Sequence, residues 1–293
     1  MATMPKGDSR LVLRIEKSNT IGFCFGVRRA VDILEKVARQ RGEIETLGDL
    51  VHNRQVLERL ASLGVKVVGS PAEVKGDTVV ISSHGVGPEI LKEFEDRSIK
   101  IVDTTCSFVK RAQTTARKLS DSGFYTIVYG DEGHAEVRGI LGWAGGRGLA
   151  TLDESVISEM DELPRRIGIL SQTTQKPNNF NDFTKAVIDA ALVKDSELRI
   201  IDTICHDIRQ RQADALELAG RVDTVIIIGG HKSANTKHLV ELCSTVTDTF
   251  QVESAAEIEP SWLKGKKSVG IAAGASTDNS AINEVLERLN HIT

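Results

Sequence analysis

Two segments of this chain are near copies of one another: IVDTTCSFVKR at 101–111 and IIDTICHDIRQ at 200–210. Each reads as a strand that ends in Asp-Thr-x-Cys and runs straight into a helix. A third cysteine, Cys24 in GFCFGVRRAVD, again follows an apolar strand and heads a helical pattern. A basic residue stands four positions after each cysteine: Arg28, Lys110 and Arg209. Spacing extends the likeness. His52, His134 and Ser233 lie 28 residues beyond Cys24, Cys106 and Cys205, in the strand-to-helix loops LVHNR, EGHAEV and HKSANT. A later polar loop in each copy carries His84 (SSHGVG), Thr173 (SQTTQ) and Ser276 (GASTDN). The chain is built from three copies of one cysteine-headed unit.

Short runs rich in Val and Ile alternate with helical patterns, which is the signature of βα units on parallel sheets. Strands are expected at Leu11–Ile15, Thr78–Ser82, Lys100–Asp103, Thr126–Tyr129, Arg166–Leu170, Arg199–Asp202, Thr224–Ile228 and Ser268–Ala272. Helices are expected at Gly26–Gln40, Val109–Ser120, Gln210–Ala219 and Lys237–Cys243. Length alone, at 293 residues, anticipates about two domains. The repeat instead divides the chain into α/β units at 11–103, 104–202 and 203–286. Packed around a pseudo-threefold axis as a trefoil, these units bring Cys24, Cys106 and Cys205 together at the centre.

Charge and apolar pattern narrow the function. Lys+Arg 37 against Asp+Glu 41 gives a net charge of −4, against a general surface for nucleic acid or anionic membrane. Eight Phe, two Trp and two Tyr are too few for stacking bases along a strand. Apolar runs such as Thr224–Ile228 are far shorter than the ~20 residues of a membrane span. Met1–Arg10 has no apolar stretch of a signal peptide and reads as a loose tail, so the chain is expected in the cytoplasm.

In a reducing compartment the cysteines are not expected to form disulfides, and no C-x-x-C pair suggests a zinc ribbon or thioredoxin motif. Helix N-termini lower thiol pKa values and favour metal ligation. Three convergent thiolates suit a catalytic zinc poorly, since such sites usually include His or carboxylate. They suit an iron–sulfur cluster with one iron left open. Cys243, in KHLVELC, stands outside the repeat and shares a helix face with Leu239, so it reads as core. His52, His84, His134, Ser233, Asn235 and Ser276 gather hydrogen-bond donors, and helix starts add anion-binding N–H groups. That combination suits a phosphate or diphosphate held without a Walker lysine. Glu136, two residues after His134, is a carboxylate that belongs in such a site only if it handles protons, with Thr173 to orient it. Gly139–Gly148 reads as a flexible surface loop, and Leu152–Arg166, with Asp153, Glu154, Glu159, Asp161 and Glu162, as a solvated connection.

Over roughly residues 11–285 these motifs resemble the 4-hydroxy-3-methylbut-2-enyl diphosphate reductases. The resemblance runs through GFCFGVRRAVD, GDLVHNRQV, SSHGV, DTTCSFVKR, GHAEVRGILG, SQTT, DTIC, KSANT and GAST. It implies three α/β domains around a 4Fe–4S cluster. The implied chemistry is reductive removal of an allylic hydroxyl to give isopentenyl and dimethylallyl diphosphate, last in the methylerythritol phosphate pathway. Electrons would come from a donor protein such as ferredoxin or flavodoxin. Carried over by motif, Cys24, Cys106 and Cys205 bind the cluster. His52, His84, His134, Thr173, Ser233, Ala234, Asn235 and Ser276 hold the substrate, and Glu136 donates the proton, assisted by Thr173 and His134. Ala234 stands where many members have a second Ser, Ser107 replaces a common Pro, and the Pro that often follows the residue at Thr277 is missing. An iron–sulfur dehydratase and a non-catalytic iron or redox sensor are the rival readings of the same cysteines. The polar loops disfavour the sensor, which needs no phosphate pocket.

Overall fold

The structure, a computed structural model, describes residues 13–292 except 159, 161, 193 and 194. The tail Met1–Arg10, the start of the first expected strand, and Glu159 and Asp161 of the acidic connection lie outside the described residues.

In chain order, β1 (Arg14–Lys17), α1 (Phe25–Arg41), β2 (Ile44–Leu47), α2 (Arg54–Ser62), β3 (Val65–Val68), β4 (Thr78–Ile81), α3 (Pro88–Asp96) and β5 (Lys100–Asp103) come first. Then follow α4 (Ser107–Asp121), β6 (Tyr125–Tyr129), α5 (Ala135–Trp143), β7 (Gly148–Thr151), α6 (Ser155–Ser158), β8 (Arg166–Ser171), α7 (Pro177–Leu192) and β9 (Glu197–Ile201). The last stretch holds α8 (His206–Ala219), β10 (Thr224–Ile228), α9 (Ala234–Ser244), β11 (Asp248–Val252), β12 (Ser268–Ala273) and α10 (Asn279–Ile292).

These strands form three four-stranded sheets with orders β3-β2-β4-β5, β7-β6-β8-β9 and β11-β10-β12-β1. Every pairing is parallel. The order is the same in each sheet, and sequence explains it. Inner strands such as TVVI of β4, TVIII of β10 and SVGIAA of β12 are apolar and buried throughout, because helices cover both faces. The strands that lead to the cysteines, RIEK, KIVD and ELRII, are exposed or half-buried along their whole length and lie at sheet edges. Each therefore closes the sheet before its cysteine. For Cys24 that sheet is the third one: β1 pairs with β12 from the far end of the chain, with Ile15 opposite Val269. The N-terminal strand thus closes a ring of three sheets.

Each sheet has its own pair of apolar clusters, one per face. Leu34, Val56 and Leu60 lie on one side of the first sheet, and Val79 and Phe94 on the other. Ile169 and Phe183 oppose Phe124 and Ile140 across the second. Val285 and Leu289 oppose Leu218 and Leu239 across the third. Burying side chains of this size stabilises each unit by about 1.5–3 kcal/mol per residue.

Within Gly139–Gly148 only residues 144–147 form a turn, with Gly145 and Gly146 at positive φ. Helix α5 runs through it to Trp143, and β7 begins at Gly148. The glycines allow close packing: a Cβ on Gly142 would sit 3.0 Å from the Gly87 Cα at the start of α3. Strands β2, β3, β7 and β11 were not foreseen. No described helix is long and apolar enough to cross a membrane.

Candidate active site at the junction of the three units

Cys24, Cys106 and Cys205 occupy the N-cap positions of α1, α4 and α8. Each is pinned in the same way, its N–H donating to a carbonyl in the loop after the third strand of a sheet. The acceptors are Ala275 at 3.0 Å, Ser83 at 3.0 Å and Thr173 at 2.9 Å, respectively. The Asp-Thr-x-Cys motif builds the approach. Asp103 accepts from the Thr105 N–H at 2.8 Å and Asp202 from the Ile204 N–H at 3.0 Å. Thr104 donates its hydroxyl to the Ile81 carbonyl at 2.6 Å, and Thr203 does so to Ser171. Lys110 and Arg209 pair with these same aspartates, Lys110 with Asp103 at 2.6 Å.

A second set of cations locks the ring. Arg29 of α1 donates to the carbonyls of Thr104 and Thr105, just before Cys106, both at 3.4 Å. Arg111 of α4 donates to the Asp202 carbonyl, before Cys205, at 3.2 Å. Arg211 of α8 donates to the Thr20 carbonyl, before Cys24, at 3.3 Å. Each cysteine helix clasps the linker of the next cysteine, cyclically.

The three cysteines line one cavity together with His52, His84, His134, Glu136, Thr173, Ser233, Ala234, Asn235 and Ser276. All the residues singled out as a site in the sequence therefore meet. Sequence reasoning missed Gly26, Ser83, Phe108 and Thr174, which share the lining. Gly26 had a signal in its position two residues after Cys24. A Cβ there would lie 2.6 Å from the Cys106 Sγ and 4.0 Å from the Cys24 Sγ, so the space between two of the thiols exists because the residue is glycine. Three sulfurs on three helix ends, with apolar Val27, Phe108 and Ile208 around them, fit a compact sulfur-ligated group. Cys243 lies away from this cavity, fully buried among Leu218, Leu239 and Ala272, as its helix position predicted.

For Cys24 and Cys205 the thiol pKa runs opposite to the sequence expectation. Burial pushes Cys205 up to about 11 and raises Cys24 as well. Helix-end N–H groups do oppose this, Val27 on Cys24 and Asp207 and Ile208 on Cys205, but desolvation is the larger effect.

Three imidazoles form the polar wall. The rings of His52 and His84 stack at 4.7 Å, and His134 meets them edge-on at 5.5 and 5.4 Å. Their nitrogens lie close enough to converge on a single ion. Burial lowers all three pKa values, that of His84 well below the usual range and that of His134 to about 4. They are therefore neutral near pH 7. His134 also caps α5: its Nδ1 accepts the Glu136 N–H at 3.2 Å, which leaves Nε2–H as the free donor. Ser233 caps α9 in the equivalent place. In the first unit the cap is Asn53, one residue past His52, so capping and cavity lining are split between neighbours. Asn235 is buried, and neither amide atom has a partner. A polar ligand would satisfy it.

Glu136 is buried and held by Thr173, whose N–H donates at 2.7 Å and hydroxyl at 2.9 Å. Desolvation raises its pKa to about 7 against both bonds. It is the one acid in the cavity whose proton is exchangeable near neutrality.

The family model described as LytB protein matches residues 15–290. A 4-hydroxy-3-methylbut-2-enyl diphosphate reductase of Dehalococcoides mccartyi is 57% identical over 281 residues, covering 96% of this chain and 99% of the relative. One from Geobacter metallireducens is 41% identical, covering 92% and 95%. A solved structure of (E)-4-hydroxy-3-methyl-but-2-enyl diphosphate reductase, the terminal enzyme of the non-mevalonate pathway, superposes with a TM-score of 0.70 at 35% identity. It covers 96% of this chain and 100% of that one. The reductase from Plasmodium falciparum, at 20% identity, shares the fold with a TM-score of 0.87 over 94% of this chain and 87% of that one.

Proposed function

The chain belongs to the LytB protein family, and from that premise we propose that the cavity between its three units is the site of the family's reductive reaction. The reaction removes the allylic hydroxyl of 4-hydroxy-3-methylbut-2-enyl diphosphate, giving isopentenyl and dimethylallyl diphosphate, in the last step of the methylerythritol phosphate pathway. One observation carries the site assignment: three cysteines from three units line the same cavity as a buried glutamate titrating near neutrality.

Cys24, Cys106 and Cys205 would hold a 4Fe–4S cluster, which when bound would supply electrons one at a time and a Lewis-acidic iron. The chain's own residues do the rest. Neutral His52, His84 and His134 offer N–H donors, and with Ser233, Asn235, Ser276 and the N–H groups at the start of α9 they suit a diphosphate. Ala234 contributes its backbone there and no side-chain donor. Fixed at that end, the five-carbon fragment reaches the cysteine side of the cavity. Glu136 delivers a proton as the hydroxyl leaves as water, and Thr173 stabilises the carboxylate that remains. The overall change takes up two electrons and two protons: the C–O bond breaks, one proton leaves in water, and the second forms a C–H bond at either end of the allyl fragment, giving one product or the other. The rival dehydratase consumes no electrons, so dependence on a donor separates the two. The electron donor of this reading is a soluble protein such as ferredoxin or flavodoxin, in the cytoplasm.

The test is anaerobic purification with iron and sulfide counting, then assay on the hydroxylated diphosphate with a reductant. Equal iron and sulfide and formation of both products support the proposal. Product formed without consumption of reductant, or a protein without iron, rejects it.

A further inference from the structure

Phe25 directly follows Cys24 and is 68% exposed, more than any other large apolar side chain among the described residues. It does not line the cavity. The arginine clasps hold the heads of α1, α4 and α8 against one another, so their first turns form one rim around the three cysteines. That rim is cationic. Lys110 and Arg209 are neutralised by Asp103 and Asp202. Arg28, Arg29 and Arg111 form no ion pair among the described residues, on a chain whose net charge is −4.

We propose that Phe25, with Arg28 and Arg29 one turn along α1 and Arg111 on α4, forms the docking surface for an acidic one-electron carrier protein. The inference rests on the reductase reading above. Each turnover converts one allylic alcohol to an alkene and water with two electrons and two protons, so two reduced carriers each lose one electron here. Electron tunnelling decays steeply with distance, and Phe25 joins the surface to a cysteine of the cavity by a single peptide link. Electron-transfer encounters bury small interfaces, in which one aromatic anchor within a complementary charge ring can carry much of the affinity. Opposite charge sets the approach rate and makes it salt-dependent.

The experiment compares holoenzymes of the parent, Phe25→Ser and Arg28→Glu with two reductants, reduced flavodoxin and reduced methyl viologen. With flavodoxin, kcat/KM should fall at least about fivefold in both variants, the scale of a hot-spot truncation. Arg28→Glu should also flatten its dependence on salt. With viologen, which needs no docking, both variants should match the parent. Variants that equal the parent with flavodoxin overturn the docking surface. So does an equal loss with both reductants, which would point to damage at the cavity. A parent with iron but no product from viologen would instead reject the reductase reading.

Discussion

Thr173 grips the Glu136 carboxylate with both of its donors, the N–H on one oxygen and the hydroxyl on the other. These bonds favour the ionised acid and burial favours the neutral one, and burial prevails to set the pKa at about 7. Glu136→Gln keeps the shape and loses the proton, so turnover should drop by ~10²-fold or more with iron content and diphosphate affinity retained. Thr173→Val removes a bond that lowers the pKa, so the alkaline limb of kcat/KM should move to higher pH. A Gln variant turning over near the parent rate, or a limb that stays put or moves down, would take Glu136 out of the acid's role.

The same shift predicts a pH dependence of stability. The folded protein holds the Glu136 proton up to about pH 7, while the unfolded chain releases it near the ordinary 4.5. The contribution is therefore complete below about 4.5 and is lost as pH rises to about 7. Relative to the parent, Glu136→Gln should gain on the order of 3 kcal/mol between pH 5 and pH 8 in the cofactor-free protein. The altered bonds to Thr173 are lost equally at both pH values and cancel. Urea unfolding at the two pH values measures the difference, and parallel stabilities would contradict a buried, protonated Glu136.

His134 has two separable jobs. Its Nδ1 caps α5 and its Nε2–H is free for a ligand. His134→Asn can still cap, so its unfolding midpoint should stay near the parent's, while His134→Ala should lose about 1 kcal/mol. Both should weaken inorganic diphosphate by roughly 1–3 kcal/mol, the scale of a hydrogen bond to a charged group. Titration calorimetry and denaturant melts read the two effects independently. If the Asn variant bound diphosphate as tightly as the parent, only the structural job would survive.

Gly26→Ala isolates the space between the thiols. Alanine improves helix propensity by about 1 kcal/mol, so the cofactor-free fold should hold. Its methyl group would press on the Cys106 Sγ at 2.6 Å. Iron and sulfide content should fall sharply, whereas Cys243→Ser, in a core of its own, should leave both unchanged. The reverse pattern would move the cofactor to a different set of sulfurs.

What the sequence revealed and what it hid follow from the range of the interactions. The repeat register placed Cys24, Cys106 and Cys205, because helix starts and strand ends are local. The cavity residues followed, since equivalent loops after the strands of three like-ordered sheets line one cavity. The membership of β1 in the third sheet depends on pairing with residues more than 250 positions away, and no local pattern encodes that. The Cys24 and Cys205 thiol pKa values are raised and not lowered because the helix end is visible in sequence and the depth of burial is not. In Gly139–Gly148 the glycine composition does not distinguish the closely packed Gly142 of α5 from the open turn at Gly145 and Gly146. The basic residues four positions after the cysteines drew attention, yet Lys110 and Arg209 pair with their own strand-end aspartates. The cations that hold the ring sit one or two positions further on, at Arg29, Arg111 and Arg211.

Those three clasps should differ in worth according to burial. Arg211 is 1% exposed and donates to two carbonyls, Thr20 at 3.3 Å and Ala273 at 3.1 Å, with Asp207 at 3.5 Å. Truncating it to Ala strands those acceptors and leaves a cavity, a loss of about 3–5 kcal/mol by analogy with breaking a buried ion pair. Arg29 is half-buried with longer bonds and should cost about 1–2 kcal/mol. Arg111 is exposed and solvent can replace its bond, so its loss should stay under about 1 kcal/mol. Alanine variants of the cofactor-free protein, unfolded in urea, rank the three. Because Arg211 ties α8 to the linker before Cys24, its variant should also release β1 first, seen as faster amide exchange at Ile15 and Glu16 than at β4. Equal costs for all three, or β1 amides as protected as in the parent, would show that the ring is closed by strand pairing and not by the clasps.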